Sequence, residues 1–243
     1  HAHIAFEKFV ERMVLAFPDV KFWITVNEPT VYSSHGYAKG NWPPGKRSLP
    51  LTLQTLRALA KSHITAYHAI HARIPNAHVG IASHSIAFYG IVAPLKRYFW
   101  NQWFLDRVHP CHDFVGLNYY FSNHKSEFQS DMGWGLFPEG LEDVLVELKR
   151  YRRPVIITEI GLADATDKHR AWYIASSVQA MKRAIERGVD VWGYLYWSLL
   201  DNFEWEKGYW PRFGLVEIDY KTKRRNVRKS AFIYRDIIDS WHM

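Results

Sequence analysis

The stretch Val155-Ile156-Ile157-Thr158-Glu159-Ile160-Gly161 is a short β-branched run that ends in a carboxylate. A second stretch, Trp23-Ile24-Thr25-Val26-Asn27-Glu28-Pro29, has the same form. Short apolar runs of this kind are typical of strands that are buried on both faces. In parallel α/β folds the chemistry lies at the carboxyl ends of the strands. The two stretches therefore predict a parallel sheet with Glu28 and Glu159 at one end of it.

Three more apolar runs follow the same plan, and longer amphipathic stretches separate them. This alternation indicates an α/β fold made of βα units. The predicted strands are Lys21 to Asn27, His78 to His84, Phe114 to Tyr120, Pro154 to Ile160 and Val191 to Ser198. The predicted helices are Phe6 to Leu15, Leu53 to Arg73, Leu95 to Val108, Leu141 to Lys149, His169 to Arg187 and Ala231 to Ile238. Phe213 to Tyr220 predicts a short hairpin arm. A TIM (β/α)8 barrel needs eight strands, so the sequence predicts such a barrel with only five of them.

The composition, 48% hydrophobic and 23% charged, is that of one globular domain covering residues 1–243. A single cysteine, Cys111, excludes an internal disulfide and favours a reducing, cytoplasmic location. No apolar run approaches the roughly 18 residues of a membrane span, and no signal-peptide pattern begins the sequence. We therefore expect no membrane association.

A net charge of +7 arises largely from one basic cluster near the C-terminus. Because no groove-reading motif accompanies it, we interpret the cluster as a solvated face and expect no nucleic-acid partner. Its members are Lys221, Lys223, Arg224, Arg225, Arg228 and Lys229.

Two carboxylates across a cleft are the groups that cleave a glycosidic bond: one protonates the departing oxygen and the other attacks or activates water. Glu28 needs a less polar setting to keep its proton. Glu159 needs a hydrogen-bond donor to stay ionised, and the phenols of Tyr119 and Tyr120 end a neighbouring strand. Aromatic residues make up 16% of the chain, and their flat faces suit sugar rings. The sequence thus predicts a glycosidase.

Four motifs, in order along the chain, resemble those of the family-1 glycoside hydrolases. They are Trp23 to Pro29, Asp113 to Tyr120, Ile157 to Glu159, and Trp197 to Trp205 followed by Arg212-Phe213-Gly214. The resemblance implies a retaining double displacement with Glu159 as the nucleophile, Glu28 as the acid/base and Tyr120 orienting Glu159. It implies no metal and no cofactor. The sugar contacts that it implies are Asn27, Asn118, Trp197, Glu204, Trp205 and Phe213.

The resemblance also bears on the substrate. A carboxylate at Glu204 would repel a 6-phosphate, so we expect unphosphorylated β-glucosides, β-galactosides, β-fucosides or related oligosaccharides. Trp134 matches the aromatic that flanks the leaving group in relatives, although it could equally pack its own loop. Ile160 stands where the family usually has Asn, and we expect this change to remove a polar group beside the nucleophile.

Relatives in the family carry three further strands before the helix at Phe6, so the five strands here would be strands 4 to 8. The missing strands supply a Gln, an Arg and a His-Trp pair around the sugar. Without them, two alternatives stay open: a hydrolase completed by self-association or by a complementary N-terminal segment, and a weak or inactive barrel fragment that binds sugar or acts as a scaffold.

Two other readings are weaker. His68 with His71, and His109-Pro110-Cys111-His112, lack the spacing of a zinc site such as H-E-x-x-H, so we expect no metal. Inversion instead of retention would require the two carboxyls to be roughly 6.5–9.5 Å apart instead of about 5 Å.

Overall fold

The computed structural model describes residues 2–241, and five parallel strands in sequential order form its main sheet. The strands are β1 (Phe22–Asn27), β2 (His78–His84), β3 (Phe114–Tyr119), β4 (Val155–Ile160) and β5 (Val191–Tyr196). All five predicted strands are confirmed to within two residues. A two-stranded antiparallel hairpin, β6 (Val216–Ile218) with β7 (Arg225–Val227), confirms the predicted arm.

Helices follow the strands and cover one face of the sheet. They are α1 (Ala2–Ala16), α2 (Pro29–Ser33), α3 (Leu49–Arg73), α4 (Ala93–Arg97), α5 (Trp103–Val108), α6 (Gly140–Leu148), α7 (Arg170–Glu186) and α8 (Lys229–Asp239). None of these helices combines the length and the apolar character needed to cross a membrane.

The sheet is strongly curled. In a flat sheet, β1 and β5 would lie about 19 Å apart, at about 4.8 Å for each neighbouring pair of strands. Instead, the ring centroids of Phe22 on β1 and Trp192 on β5 lie 6.3 Å apart. His78 and Phe114 join the same aromatic layer inside the curl. This curvature, with helices outside, is that of a barrel in which five strands are present.

The main hydrophobic core lies between the convex face of the sheet and the helices. Val115, Leu117 and Tyr119 of β3 project into it and are fully buried. Phe104 of α5 and Leu141 of α6 pack against this face. The concave face is left for the residues of the site.

Both edge strands carry exposed apolar side chains. Phe22 on β1 is 51% exposed and Trp192 on β5 is 45% exposed, although both rings lie inside the curl. Within the described residues, β1 and β5 are thus the two open edges of the sheet.

Two helical features differ from the prediction. Leu95 to Val108 was expected to be one helix, but a π-helical turn over Tyr98–Gln102 separates α4 from α5. The segment after Glu28 was not predicted to be helical. Pro29 at the first position of α2 begins a helix there, because its fixed φ suits that position and no N–H is needed. The helix continues as a π-helical turn over Ser34–Lys39.

Candidate active site

Glu28 and Glu159 both lie at the carboxyl end of the sheet, and a β-bulge precedes each of them. The register of β1 against β2 shifts between Ile24 and Asn27. The register of β4 against β3 shifts so that Leu117 pairs with Ile157 but Asn118 pairs with Glu159. Bulges of this kind redirect side chains next to functional sites. Here the bulge in β4 leaves Thr158 and Glu159 both on the cleft side.

The structure corrects the expectation for Ile160, which follows Glu159 and points to the opposite face of the sheet. That side chain is fully buried in the core between the sheet and the helices, in the same cluster as Ile157. It therefore does not stand in the polar shell around Glu159. The replacement of Asn by Ile fits this apolar environment and leaves the concave face unchanged.

The backbone of Glu28 is held in an unusual conformation. Its φ of 47° and ψ of 55° are left-handed, which is uncommon for a residue with a side chain. The Glu28 N–H donates to the Ala82 carbonyl at 2.7 Å, and the Glu28 carbonyl accepts from the N–H of Tyr32 at 3.0 Å. Such conformations cost about 1–3 kcal/mol and cluster at functional sites. Here the left-handed conformation of Glu28 directs its carboxyl into the cleft.

Asn118 connects the two carboxylate strands. Its Oδ1 accepts a hydrogen bond from the Thr158 hydroxyl at 2.6 Å, which fixes the orientation of the amide. Its Nδ2 then donates to Glu28 Oε1 at 3.0 Å and to Asn27 Oδ1 at 3.1 Å. The side-chain N–H groups of Asn118 thus donate to Glu28 and Asn27 in this structure. Asn27 and Asn118 are both among the predicted sugar contacts.

Tyr120 donates a hydrogen bond to Glu159 Oε2 at 2.6 Å, as the sequence motif predicted. Tyr119 points to the opposite face of the sheet and donates to the Phe137 carbonyl at 2.6 Å. Burial and the charge of Glu28 raise the pKa of Glu159 to about 7, and the Tyr120 phenol opposes them. The phenol therefore favours the ionised carboxylate without outweighing its burial.

Glu28 and Glu204 share this pocket with Glu159. Burial raises the pKa of Glu28, and the hydrogen bond from Asn118 partly offsets it. Burial, followed by the charges of Glu28 and Glu159, raises the pKa of Glu204 to about 7. Three carboxyls in one buried pocket resist ionising together. Each of them is therefore more readily protonated near neutral pH than an exposed glutamate.

Predicted aromatic contacts form a wall beside Tyr120. The rings of Trp134 and Phe213 lie 5.8 Å and 6.2 Å from the Tyr120 ring, and 6.3 Å from each other. Trp197, which follows β5, packs against the same cluster. Gly161 permits this approach, because a Cβ there would lie 1.9 Å from the Trp197 carbonyl oxygen.

Trp205, another predicted sugar contact, packs against the loop that follows β1. Its indole stacks on that of Trp42, with centroids 4.2 Å apart, and it is largely exposed. The Trp42 indole N–H donates to Glu206. The loop that follows β1 and the loop that follows β5 are thus fastened together at the mouth of the cleft.

A buried ion-pair network holds the loop after β5. The Asp201 carboxylate is fully buried and pairs with Arg228 at 3.1 Å and with Arg212 at 3.2 Å. It also accepts from the Gly214 N–H at 2.9 Å. The expectation that Arg228 belongs to a solvated basic face is wrong, because the Asp201 carboxylate draws this guanidinium inside. The network fixes Phe213 against Tyr120.

Sequence reasoning missed two residues of the site. Thr158 orients Asn118, and only the bulge brings it to the cleft. His84 ends β2, pairs in register with Asn118 and stacks on Tyr120 at 6.2 Å. The rule that singled out Glu28 and Glu159, a polar residue at a strand end, would also have identified His84.

No three His, Cys, Asp or Glu side chains among residues 2–241 are arranged to hold a metal ion. Of the residues weighed as metal ligands in the sequence, His68 lies beside Cys111 in a single contact of 3.9 Å.

Comparison with known proteins relates this geometry to a family. The model of "Glycosyl hydrolase family 1" matches residues 3–98 and 120–243. A β-galactosidase of Saccharolobus solfataricus is 32% identical over 96% of this chain and 58% of its own length. β-Glucosidase A of Thermotoga maritima is 28% identical over 98% of the chain and 66% of its own.

Solved structures agree. A β-glycosidase from Pyrococcus horikoshii superposes with a TM-score of 0.93 at 33% identity, covering 98% of this chain and 65% of the other. The Thermotoga maritima β-glucosidase in complex with azafagomine gives a TM-score of 0.89 at 26% identity, with coverages of 98% and 68%. The chain spans between half and two thirds of the length of the two archaeal β-galactosidases that it matches. By the family match over most of its residues, the chain belongs to glycosyl hydrolase family 1.

Proposed function

We propose that this chain carries the catalytic pair of a retaining β-glycosidase that acts by double displacement. The observation that supports this proposal most strongly is that the two carboxyls accept hydrogen bonds from different donors. Glu159 receives the Tyr120 phenol at 2.6 Å, whereas Glu28 receives the Asn118 amide at 3.0 Å. A phenol donor at short distance favours the carboxylate, so Glu159 is the better nucleophile and Glu28 the better acid.

In the first step, a Glu159 carboxylate oxygen attacks the anomeric carbon and displaces the leaving-group oxygen. Glu28 gives its proton to that oxygen, so that the leaving group departs as a neutral alcohol. The products of this step are a glycosyl ester on Glu159 and an ionised Glu28. Burial raises the pKa of Glu28, which favours its protonated form before the step.

In the second step, the Glu28 carboxylate removes a proton from water, and the resulting oxygen attacks the anomeric carbon. The bond to Glu159 breaks, its carboxylate is restored, and Glu28 holds the proton again. Two inversions give net retention of the β configuration. No other reactant is needed.

We infer that the sugar is an unphosphorylated β-glucoside, β-galactoside or β-fucoside. Glu204 shares the pocket with Glu28 and Glu159, whose charges help raise its pKa. A phosphate at the sugar 6-position would add negative charge to a site that already holds three carboxyls. The named relatives, a β-galactosidase and a β-glucosidase, fit this substrate class.

A second candidate is sugar binding without turnover. In the described part of the chain the sheet holds five strands with β1 and β5 at its edges, so the wall around the cleft is open on one side. Turnover depends on contacts realised in the transition state, and an open side supplies fewer of them.

Release of nitrophenol from a nitrophenyl β-glucoside separates the candidates. The purified chain should be assayed beside Glu159→Gln and Glu28→Gln, with its solution mass determined. Hydrolysis that both substitutions reduce by at least about 1000-fold, with a β product seen first by NMR, supports the retaining hydrolase. A folded wild-type chain that binds glucose but releases no nitrophenol supports the binding protein instead.

A further inference from the structure

His84 occupies a position in the cleft between the elements that carry Glu28 and Asn118. It ends β2, and β2 lies between β1 and β3 in the sheet. Its register partner on β3 is Asn118, whose side chain faces the cleft. Since paired residues of neighbouring parallel strands point to the same face, the His84 imidazole faces the cleft as well.

One nitrogen of the imidazole is committed. The indole N–H of Trp100 donates to His84 Nδ1 at 3.0 Å. Because an indole nitrogen can only donate, Nδ1 must be unprotonated, and the proton of the neutral ring lies on Nε2. Burial lowers the pKa of His84 to about 4, so the ring is neutral at pH 7. The tautomer is therefore fixed with Nε2 as a donor.

The other nitrogen has no partner in the described part of the chain. His84 is 5% exposed, and its Nε2 makes no hydrogen bond to residues 2–241; unlike the two ring nitrogens of His112, however, Nε2 is not completely buried and reaches the solvent of the cleft. A donor that no protein group engages and that opens to the cleft can pair with a hydroxyl of a bound ligand. The ring itself is held by Tyr120 at 6.2 Å and by Phe121 at 5.5 Å. The Nε2–H donor of His84 is thus held in a fixed orientation.

The position of His84 indicates which part of a substrate it meets. Glu204, Trp197 and Phe213 come from β5 and the loop after it, on the far side of Glu159. His84 lies on the other side of Tyr120, next to the strand that ends in Glu28. The Glu28 N–H is bonded to Ala82, two residues before His84. Glu28 is the proposed donor to the departing oxygen, so His84 lies on the leaving-group side.

We propose that the His84 Nε2–H donates a hydrogen bond to a hydroxyl of the leaving group, so that the site prefers a second sugar ring to an unsubstituted aryl group. This inference rests on the proposed function, because the leaving-group side is defined by the role of Glu28. It adds a specificity-determining residue that is separate from the glycone contacts.

The test compares two substrates, cellobiose and phenyl β-glucoside, by glucose release. Phenyl β-glucoside has no hydroxyl on its leaving group. His84→Phe keeps a planar ring but removes the N–H donor. It should lower kcat/KM for cellobiose about tenfold, which is the contribution of one good hydrogen bond. The kcat/KM for phenyl β-glucoside should change less than about twofold. His84→Gln, which restores an N–H donor, should recover part of the loss on cellobiose.

Trp100→Phe is the matched control. It removes the same Trp100–His84 hydrogen bond as His84→Phe but keeps the imidazole, and a freed ring still carries its proton on Nε2 in part of the molecules. Its effect on cellobiose should stay within roughly twofold. Equal losses on both substrates, or an equal loss in Trp100→Phe, would overturn the inference and leave the proposed function standing.

A binding arm separates the two failures. In a Glu159→Gln background, calorimetry should show cellobiose binding more tightly than glucose, and His84→Phe should remove that difference. If the wild type hydrolyses neither substrate, the proposed function fails, and this difference alone decides the inference. Equal affinities for cellobiose and glucose with His84 present would overturn it.

Discussion

Replacing Tyr120 with Phe tests how Glu159 is kept ready for attack. The substitution removes the phenol hydroxyl that lies 2.6 Å from Glu159 Oε2 and leaves the ring in place. A hydrogen bond to a charged group contributes about 1.5–3 kcal/mol, and one pKa unit corresponds to about 1.4 kcal/mol. The pKa of Glu159, about 7 in the wild type, should therefore rise by about 1–2 units.

The sign of the effect on activity follows from the role of the ionised form. In the proposed mechanism Glu159 attacks as a carboxylate, so a higher pKa of Glu159 would move the acid limb of kcat/KM to higher pH. At pH 6 the ionised fraction, and with it kcat/KM, should fall about 10- to 100-fold. The assay is the pH profile of nitrophenol release, together with a ¹³C NMR titration of labelled Glu carboxyls, which reports the pKa without turnover.

Tyr119→Phe is the control, because Tyr119 is the adjacent buried phenol and also donates one hydrogen bond of 2.6 Å. Its acceptor is a backbone carbonyl on the opposite face of the sheet, so the acid limb should not move. An unshifted acid limb in Tyr120→Phe, or the same shift in Tyr119→Phe, would refute the assigned role of the Tyr120 hydroxyl.

Three other predictions concern stability. His112 is fully buried with both ring nitrogens unpartnered among the described residues, and burial lowers its pKa to about 3. Because the unfolded chain binds this proton more readily, the free energy of unfolding should fall as the pH drops below about 6.5. Urea denaturation should show that His112→Phe loses about 2 kcal/mol less of its free energy of unfolding between pH 8 and pH 5 than the wild type does. Equal losses in the two proteins would contradict this. Asp201→Asn should lower the free energy of unfolding by about 3–5 kcal/mol, because it leaves buried guanidinium charge without a partner. Asp236→Asn is the control: 59% of the Asp236 side chain is exposed, so its loss should stay under about 1 kcal/mol. Similar shifts of the melting temperature in the two variants would contradict the assigned role of the buried network. Burial raises the pKa of Glu204 to about 7, so ionisation of this carboxyl destabilises the fold as the pH rises from about 4.5 to 7. Glu204→Gln should therefore be more stable than the wild type at pH 8, and the difference should shrink at pH 4.5. The reverse order would refute the raised pKa of Glu204.

The sequence predicted the strands well because their signal is local. Each strand is a short apolar run between polar segments, and the predicted strand Pro154 to Ile160 differs from the observed β4 by one residue. The same local signal placed Tyr119 and Tyr120 at the end of the strand before that of Glu159, and the family resemblance selected Tyr120.

The bulges could not be predicted in the same way. Strict alternation places Thr158 and Glu159 on opposite faces, yet the structure places both at the cleft and Ile160 in the core. A bulge depends on the pairing of a strand with its neighbours, which a single apolar run does not reveal. Ile160 itself follows ordinary alternation: it comes directly after Glu159 and therefore points to the opposite face, into the core.

Long-range charge pairing was equally invisible in the sequence. Arg228 stands in a run of basic residues, and its local surroundings indicate solvent. Its partner, Asp201, lies 27 residues earlier, and only the folded loop after β5 brings them within 3.1 Å. The role of His84 was missed for a simpler reason, because attention went to carboxylates at strand ends and not to imidazoles.

The central claim, a covalent intermediate on Glu159, is tested most directly by trapping it. The chain should be incubated with a 2-deoxy-2-fluoro β-glucoside carrying a dinitrophenyl leaving group, and its peptides analysed by mass spectrometry. We predict one added fluoroglucosyl group, located on Glu159 and absent in Glu159→Gln. Turnover of the nitrophenyl glucoside without any adduct, or an adduct on a residue other than Glu159, would contradict the double displacement proposed for this site.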